Sequence, residues 1–302
     1  MINKNSSIVI TGAGGWFGIT LLRKLEQKFS YAFIKNNVIC LSSTSKKIYF
    51  GSKYGPIKSK SLKFLSSVKK IDHFFHFAFL NSYYLEKMTT QDYMNKNNLI
   101  SQQVIDYLKN NLCKNFYFAS SGVVTDIEKK ISKNKTIYAK MKKNFELNLK
   151  SIKLTNIFIF RVYACVSDEM INSDFSAITN FIDSSINFNK IVINSKKRIY
   201  RSYIDLDNFM DLLIKFKSTN TRYQIYNCKN YNYSLLTIAK IIAKQSNSKI
   251  FYNFTDSKDD IYITHSKKID QLFENNGIKK RNFKKIIVNV FRNVIKKTYK
   301  IS

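Results

Sequence analysis

A glycine-rich stretch directly after a short apolar run constrains this chain more than any other feature. Residues 8–18 read Ile-Val-Ile-Thr-Gly-Ala-Gly-Gly-Trp-Phe-Gly and contain four of the chain's 8 glycines. The apolar run predicts a buried strand, and apolar residues at helical spacing follow it. Gly12 permits a tight turn, Gly15 lets the backbone approach a pyrophosphate, and Gly18 lets the helix pack on the strand. The stretch therefore predicts a strand–turn–helix unit that binds dinucleotide phosphates at a helix N-terminus.

Strand-like and helix-like segments alternate through the first 165 or so residues. The predicted strands are Ile8–Thr11, Val38–Leu41, Phe74–Ala78, Phe116–Ser120 and Ile157–Tyr163, and the predicted helices between them are Ile19–Phe29, Tyr93–Asn110 and Tyr138–Leu149. Continuous apolar strands separated by helices predict an α/β fold with a Rossmann-type, doubly wound parallel sheet.

After Val166 the pattern is mixed. It predicts short strands at Lys190–Asn194 and Tyr223–Cys228, and helices at Leu235–Lys244 and Phe283–Lys297. We expect a dinucleotide-binding domain over residues 1–166, completed by about 203–228. Residues 167–202 and 229–302 are expected to form a smaller C-terminal α/β lobe that binds the substrate.

Composition excludes some classes of protein and leaves one alternative open. Hydrophobic residues make up 44% of the chain, which is too apolar for a disordered protein. The formal net charge of +31 is compatible with nucleic-acid binding, but the basic residues are spread over the whole chain and are mostly Lys, which favours compositional drift. The 4 cysteines show no metal-ligand spacing, and neither a leader nor a membrane-spanning stretch is visible, so we expect a cytoplasmic protein.

A Tyr-x-x-x-Lys pair places both side chains on one face of a helix, where a nearby ammonium favours the phenolate and lowers the phenol pKa. Such a phenol can exchange a proton with a hydroxyl while a hydride passes to or from a nicotinamide. Tyr138 and Lys142 form one such pair. Four other pairs match the motif equally well, namely Tyr31/Lys35, Tyr49/Lys53, Tyr54/Lys58 and Tyr83/Lys87.

Several segments together resemble the extended branch of the short-chain dehydrogenase/reductase superfamily, the NAD-dependent epimerases and dehydratases that modify nucleotide-linked sugars. The resemblance covers nearly the whole chain and also includes Glu146 and the C-terminal helix. The segments that carry it are Gly12-x-x-Gly15-x-x-Gly18, His76-Phe77-Ala78, Asn97, Phe118–Val124, Tyr138-x-x-x-Lys142, Phe160–Tyr163, Tyr200–Asp205 and Tyr226-Asn227.

The resemblance implies a set of site residues. It selects Tyr138 and Lys142 among the five pairs, because this pair alone follows the serine segment and opens a helix before an apolar strand. It makes Ser121 the third catalytic residue and a substrate contact, with Ser120 as the alternative. The residues expected to bind the cofactor are Gly12, Gly15, Trp16, Phe17, Gly18, Ser42, Ala78, Asn97, Tyr138 and Lys142.

Some positions depart from the family pattern. Gly122-Val123 stands where sugar 4,6-dehydratases carry Asp-Glu, which weighs against dehydration and favours epimerisation or carbonyl reduction. Thr125-Asp126 replaces the common Tyr-Gly, and the segment between Ser121 and Tyr138 is shorter than usual.

Cofactor choice and substrate contacts rest on a few residues. No acidic residue follows the second strand; Ser42-Ser43-Thr44-Ser45-Lys46-Lys47 instead offers hydroxyls and lysines that suit a ribose 2′-phosphate, so NADP is favoured over NAD. A guanidinium fork suits a diphosphate, which singles out Arg161 and Arg201, with Arg201 expected to contact the substrate. No metal site is expected.

These expectations define one leading hypothesis and two alternatives. The leading one is an NAD(P)-dependent nucleotide-sugar epimerase or 4-ketoreductase in surface-polysaccharide or deoxysugar synthesis, which forms a homodimer as its relatives do and binds neither nucleic acid nor membrane. The alternatives are a catalytically idle relative that keeps a bound dinucleotide, and a basic nucleic-acid-binding protein. For the basic helix Phe283–Lys297, packing on the substrate lobe is favoured over lying on an anionic membrane.

Overall fold

The computed structural model describes residues 1–128, 136–168, 170, 176–217 and 221–296. The strands in chain order are β1 (Ile8–Thr11), β2 (Val38–Ser42), β3 (Lys46–Ile48), β4 (Ile57–Ser61), β5 (Lys70–His76), β6 (Leu112–Ser121), β7 (Asn156–Val162), β8 (Ala164–Val166), β9 (Lys190–Ile193), β10 (Ile199–Asp205), β11 (Tyr223–Cys228), β12 (Tyr231–Ser234), β13 (Lys249–Tyr252) and β14 (Asp260–Tyr262). The helices are α1 (Trp16–Lys28), α2 (Tyr31–Asn37), α3 (Thr90–Asn110), α4 (Val123–Glu128), α5 (Ile137–Leu149), α6 (Ala177–Phe188), α7 (Leu206–Lys215), α8 (Leu235–Ser246), α9 (Lys267–Asn275) and α10 (Phe283–Val294).

The chain divides into two units. The first comprises residues 1–162 and 210–227, and the second comprises residues 163–209 and 228–302. The sequence-based boundaries place residues 163–166, 203–209 and 228 with the first unit, whereas the structure places them with the second. The reason is strand pairing, since β10 pairs with β8, β12 and β14, which all belong to the second unit.

The first unit is built on an eight-stranded sheet in the order β11-β7-β6-β5-β1-β2-β4-β3. The pairs β1–β2, β1–β5, β2–β4, β5–β6 and β6–β7 are parallel, and β3–β4 is antiparallel. The strand order reverses direction at β1, where β2 and β5 lie on either side. This arrangement confirms the predicted doubly wound α/β fold and brings the carboxyl ends of β1, β5 and β6 to one edge of the sheet.

The core of this sheet is strongly aromatic. Phe74, Phe116, Phe118 and Phe158 are each no more than 1% exposed, and Phe74 packs edge-on against Phe116 with ring centroids 5.2 Å apart. Burying one such ring stabilises a fold by roughly 1.5–3 kcal/mol. The continuous apolar strands predicted from the sequence are therefore buried on both faces, as parallel strands between helices require.

The second unit has a four-stranded sheet, in which β10 pairs with β8, β12 and β14, and a separate parallel pair of β9 and β13. α10 belongs to this unit, and its apolar face is buried within the protein through Phe283, Ile286, Ile287, Val290, Phe291 and Val294. The apolar face of α10 is therefore covered by protein, as packing on the lobe requires. Lys297, the predicted last residue of this helix, lies outside the described residues. No helix in the described part of the chain is both long and apolar enough to cross a membrane.

Candidate active site

The glycine-rich turn fits closely against the end of β5. Gly12 has a φ of +69°, and a Cβ placed on it would lie 2.7 Å from the Ala78 backbone nitrogen. At Gly18, the third residue of α1, a Cβ would lie 2.4 Å from the Ala13 Cα. Both glycines are thus required by the protein's own backbone, because either side chain would collide with main-chain atoms that cannot move aside.

Gly15 differs from these two glycines. It is the N-cap of α1 in an extended conformation, with φ −90° and ψ 172°, and a Cβ on it would meet only the Gly12 carbonyl oxygen at an ordinary 3.5 Å. The protein itself therefore leaves room for a side chain here. Trp16 and Phe17 begin the helix behind Gly15, and the N-terminus of a helix of this length carries partial positive charge. This backbone concavity fits a dinucleotide pyrophosphate.

The segment after β2 lies beside the same turn. The Ser42 hydroxyl donates a hydrogen bond to the Thr44 carbonyl at 2.6 Å and lies 2.7 Å from the Ser59 hydroxyl. These two contacts stabilise the connection between β2 and β3. Lys46 begins β3, and its Cε and Nζ lie 3.5 Å from the position a Gly14 Cβ would take. The sequence predicts no strand at this point. The short β3 was missed because Lys46 and Lys47 are exposed and only Ile48 is buried.

Side chains fix the backbone that follows β5. Thr11 bonds to His76 Nδ1 at 2.7 Å and accepts a hydrogen bond from the Ala78 N–H at 3.4 Å. Asn97, fully buried on α3, accepts from the Leu80 N–H at 2.8 Å and donates to the Leu80 carbonyl at 3.3 Å. Asn97 therefore holds the segment beyond Ala78 through its backbone.

One face of α5 is joined to the carboxyl end of β6 by three contacts, which we call the α5–β6 contact set. The Tyr138 phenol interacts with the Ser121 side chain. The Lys142 ammonium donates to the Ala119 carbonyl at 2.8 Å, and the Ser120 hydroxyl donates to the Glu146 carboxylate at 2.5 Å. Residues 138, 142 and 146 are successive members of an i, i+4 row, so three consecutive β6 residues meet three successive turns of one helix.

The contact set separates the two serines that the sequence left as alternatives. Ser120 is committed to Glu146, whereas Ser121 faces Tyr138. Phe79, which sequence reasoning missed, completes the surroundings: its ring lies 4.0 Å from Lys142 Nζ and edge-on to the Tyr138 ring at 5.9 Å between centroids. The sequence feature that could have identified Phe79 as a site residue was its position directly after His76-Phe77-Ala78.

The electrostatics differ from the sequence-based expectation for Tyr138. Burial raises the pKa of Tyr138, and the side-chain interaction with Ser121 opposes that shift. Burial lowers the pKa of Lys142 to about 7, and Glu146 opposes that shift. The net shift of the phenol pKa is therefore upward rather than the expected lowering, because the Lys142 ammonium bonds to Ala119 and desolvation dominates at both groups.

Arg161 on β7 is a structural ion-pair partner. It bonds to Glu146 through Nε at 3.1 Å and through Nη2 at 2.6 Å, and to Glu128 through Nη1 at 2.6 Å and Nη2 at 2.8 Å. Nη1 also donates to Thr125 at 3.2 Å. Arg161 is only 4% exposed, and its guanidinium donors bond to the protein's own carboxylates, so the side chain is not presented to a diphosphate.

Arg201, in the second unit, lies on β10 and pairs with Asp260 on β14. Its Nη2 donates to the Asp260 carboxylate at 2.7 Å, while Nη1 donates to the Tyr200 and Asp260 carbonyls. The Arg201 side chain stays 25% exposed. In the same unit Arg281, which the sequence analysis overlooked, forms a two-point pair with buried Asp205, with both nitrogen–oxygen distances 2.6 Å.

Comparisons with known proteins agree with this fold. A family model described as the NAD dependent epimerase/dehydratase family matches residues 8–228. No curated protein matches the chain.

Solved structures with the same fold cover nearly the whole chain. A UDP-N-acetylglucosamine 4-epimerase from Methanobrevibacter ruminantium, in complex with UDP-N-acetylmuramic acid, superposes with a TM-score of 0.74 at 18% identity over 98% of this chain and 100% of that one. An epimerase from Methanothermobacter thermautotrophicus gives 0.75 at 17% identity, covering 98% and 93%. The Thermus thermophilus UDP-glucose 4-epimerase in complex with NAD gives 0.70 at 14% identity, covering 95% and 98%.

The family match spans the glycine-rich turn, the α5–β6 contact set and the aromatic sheet that positions them. The chain belongs to the NAD-dependent epimerase/dehydratase family, and it is an enzyme of the extended short-chain dehydrogenase/reductase type.

Proposed function

We propose that this enzyme is an NAD(P)-dependent epimerase or 4-ketoreductase that transfers a hydride at one carbon of a nucleotide-linked sugar. The observation that carries the proposal is the convergence of Ser121, Tyr138 and Lys142 at the carboxyl end of β6. In a doubly wound sheet, ligands bind at the carboxyl ends of the strands, beside the point where the strand order reverses. β1, with its glycine-rich turn, lies at that point in this sheet.

Each residue has a role in this chemistry. Tyr138 accepts the hydroxyl proton as the sugar carbon is oxidised and returns it when the carbonyl is reduced, which is general acid–base catalysis. Ser121 holds the reacting oxygen through a hydrogen bond. Lys142 orients the cofactor ribose and stabilises the phenolate by its charge. When bound, the nicotinamide accepts or supplies the hydride.

The turn and the helix that follows it are proposed to hold the cofactor pyrophosphate, through Gly12, Gly15, Trp16, Phe17 and Gly18. Ala78 and Asn97 shape the wall of the site, since both are tied to the segment after β5. NADP is favoured over NAD because the Lys46 ammonium lies beside Gly14 and the segment after β2 supplies no carboxylate. Ser42 lies at the start of that segment.

The proposed substrate is a nucleoside-diphosphate sugar. Arg201 is the proposed diphosphate contact, held in place by Asp260. Gly122-Val123 in place of Asp-Glu favours epimerisation or reduction over dehydration. A homodimer, a cytoplasmic location and a role in surface-polysaccharide or deoxysugar synthesis complete the proposal. The four cysteines Cys40, Cys113, Cys165 and Cys228 are free thiols, as a reducing compartment allows.

The test begins with the dinucleotide. The purified protein would be titrated calorimetrically with NAD⁺, NADH, NADP⁺ and NADPH, and then screened with UDP-, dTDP- and GDP-sugars while nicotinamide absorbance and sugar configuration are followed. We expect tighter binding of NADP(H) and turnover of at least one nucleotide sugar. Dinucleotide binding with no turnover across the panel would favour the catalytically idle relative.

Lys46 provides a sharper test of cofactor choice. Lys46→Ala should weaken NADP⁺ binding by about tenfold, the loss of roughly one charge-assisted contact, and leave NAD⁺ binding unchanged. Lys47→Ala is the matched control, because Lys47 is its exposed neighbour on β3. Equal losses for the two dinucleotides in Lys46→Ala would remove the argument for NADP.

A further inference from the structure

We propose that Glu146 is a positioning residue for the reaction: its carboxylate, fixed by Ser120 and Arg161, is the negative charge that Lys142 faces along α5. This inference rests on the proposed function for its catalytic meaning. Its electrostatic content can be measured without any substrate.

The carboxylate of Glu146 is held rigidly. It accepts a hydrogen bond from Ser120 at 2.5 Å and three contacts from Arg161 between 2.6 and 3.2 Å, and it is only 3% exposed. Arg161 is itself held by a second carboxylate, that of Glu128. Ser120 on β6 and Arg161 on β7 both donate to the two carboxylate oxygens of Glu146, and this fixes the position of the carboxylate relative to β6. The turn of α5 that carries Lys142 is fixed with it.

The surroundings of Lys142 leave few other charges. From its own helix it faces Tyr138 and Glu146; from β6 it faces the Ala119 carbonyl and the Phe118 ring; and from the segment after β5 it faces the Phe79 ring. Buried His76 on β5 is the remaining titratable neighbour, and its pKa of about 3 keeps it neutral. Glu146 lies one helical turn beyond Lys142 on the same face of α5, and its negative charge opposes the lowering of the Lys142 pKa.

This arrangement matters because Lys142 is buried. Desolvation favours the neutral amine and brings the pKa of Lys142 to about 7, close to the pH at which the charge is needed. A fixed carboxylate one helical turn away favours the ammonium. Ser120 and Arg161 hold the Glu146 carboxylate in place on this face of α5. Ser120, Glu146 and Arg161 therefore act on the reaction through Lys142, without touching the reacting atoms.

The experiment measures the ionisation of Lys142 directly. Protein labelled with ¹³C-lysine is titrated by NMR between pH 5 and pH 11, and the Lys142 signal is identified by its loss in Lys142→Met. We expect a midpoint near 7 in the parent protein and a midpoint lower by about one pH unit in Glu146→Gln. Glu128→Gln is the matched control: it also removes one carboxylate from Arg161, but Glu128 is a partly exposed residue on α4, and its change should leave the midpoint unchanged.

Kinetics provide the second arm. If nucleotide-sugar turnover is found, the alkaline decline of kcat/KM should move to lower pH in Glu146→Gln by the same amount as the NMR midpoint, whereas a purely structural role would lower the rate without moving the profile. Should Glu146→Gln fail to fold, Glu146→Met replaces it as a neutral side chain of similar length. Equal Lys142 midpoints in the parent protein and in the neutral Glu146 variant overturn the inference. A shifted midpoint in a protein that turns over no nucleotide sugar supports the charge relation and overturns the proposed function instead.

Discussion

The glycine-rich turn and the α5–β6 contact set lie in the same unit, but they are built in opposite ways. The turn depends on missing side chains, because at Gly12 and Gly18 a single Cβ would fall within 2.7 Å of backbone atoms. The contact set depends on buried polar side chains that hydrogen-bond to one another. The Glu146 carboxylate alone accepts one hydrogen bond from Ser120 and three from Arg161.

Within each region, some residues are needed by the fold and others are not. Gly12 and Gly18 are required by packing, whereas Gly15 has room for a side chain. Likewise Ser120, Glu146 and Arg161 satisfy each other, whereas Lys142 stays buried with its pKa lowered to about 7. Positions that the fold does not explain are the ones we expect a ligand to explain, and this difference can be tested by substitution.

The largest effect is expected at the contact set, from Tyr138→Phe. This change removes the proposed acid–base phenol and retains the ring that packs against Phe79, so turnover of the sugar found by screening should fall by about 10²–10⁴-fold. Tyr49→Phe is the control, since Tyr49 belongs to a Tyr-x-x-x-Lys pair but is 70% exposed. Near-normal turnover by a folded Tyr138→Phe protein would remove Tyr138 from the mechanism.

Gly15→Asp should separate binding from folding at the turn. Asp is a favourable N-cap and its charge suits a helix N-terminus, so the free energy of unfolding should stay equal or rise slightly. The same carboxylate would repel the pyrophosphate, and dinucleotide affinity should fall by about 100-fold or more. Calorimetric titration beside denaturant unfolding measures both quantities, and unchanged affinity would mean that the pyrophosphate binds elsewhere.

Gly18→Ala, in contrast to Gly15→Asp, should lower the free energy of unfolding. Its Cβ would lie 2.4 Å from the Ala13 Cα, and backbone has to shift to admit it. We expect a loss of about 1–3 kcal/mol in the free energy of unfolding, measured by denaturant titration. If Gly18→Ala and Gly15→Asp were equally stable, the distinction between the two glycines would be lost.

A further effect, similar in size to that of Gly18→Ala at pH 6 and smaller at higher pH, concerns the pH dependence of stability. The pKa of Lys142 is about 7 in the folded protein against an ordinary 10.5, so between these values the unfolded chain binds more protons and the contribution of this group to stability rises with pH. Below about pH 7 the cost of burying the ammonium is fully present. Lys142→Met should therefore stabilise the protein by on the order of 1–3 kcal/mol at pH 6, with a gain that shrinks toward pH 10.

Denaturant unfolding at pH 6, 8 and 9.5 measures this gain, with Lys140→Met as the control because Lys140 is exposed on the same helix. A stability gain that does not change with pH would mean that the titration of Lys142 does not cause the pH dependence of stability.

Much of the fold could be predicted because local pattern decided it. β1 and β11 have the predicted bounds, and α5 begins one residue before the predicted start. α2, β3 and β4 were not predicted, because short elements such as β3, with one buried residue among three, carry no clear periodicity. The boundaries at residues 163–166 and 203–209 were misplaced because β8 pairs with β10, and β10 has further partners among strands distant in the sequence.

The sequence by itself determined the glycine-rich turn, because glycine spacing is a local property, and through the family resemblance it singled out Tyr138 and Lys142 as the proposed catalytic pair. Only the tertiary structure decided that Ser120 bonds to Glu146 while Ser121 faces Tyr138. It also decided that the guanidinium of Arg161 is buried between two carboxylates, whereas that of Arg201 stays partly exposed. Those outcomes depend on partners far apart in the chain, since Ser120 meets Glu146 across 26 residues and Arg161 meets Glu128 across 33. Burial then decides the pKa of Lys142 and of Tyr138, because the cost of desolvating a charge is set by everything packed around it.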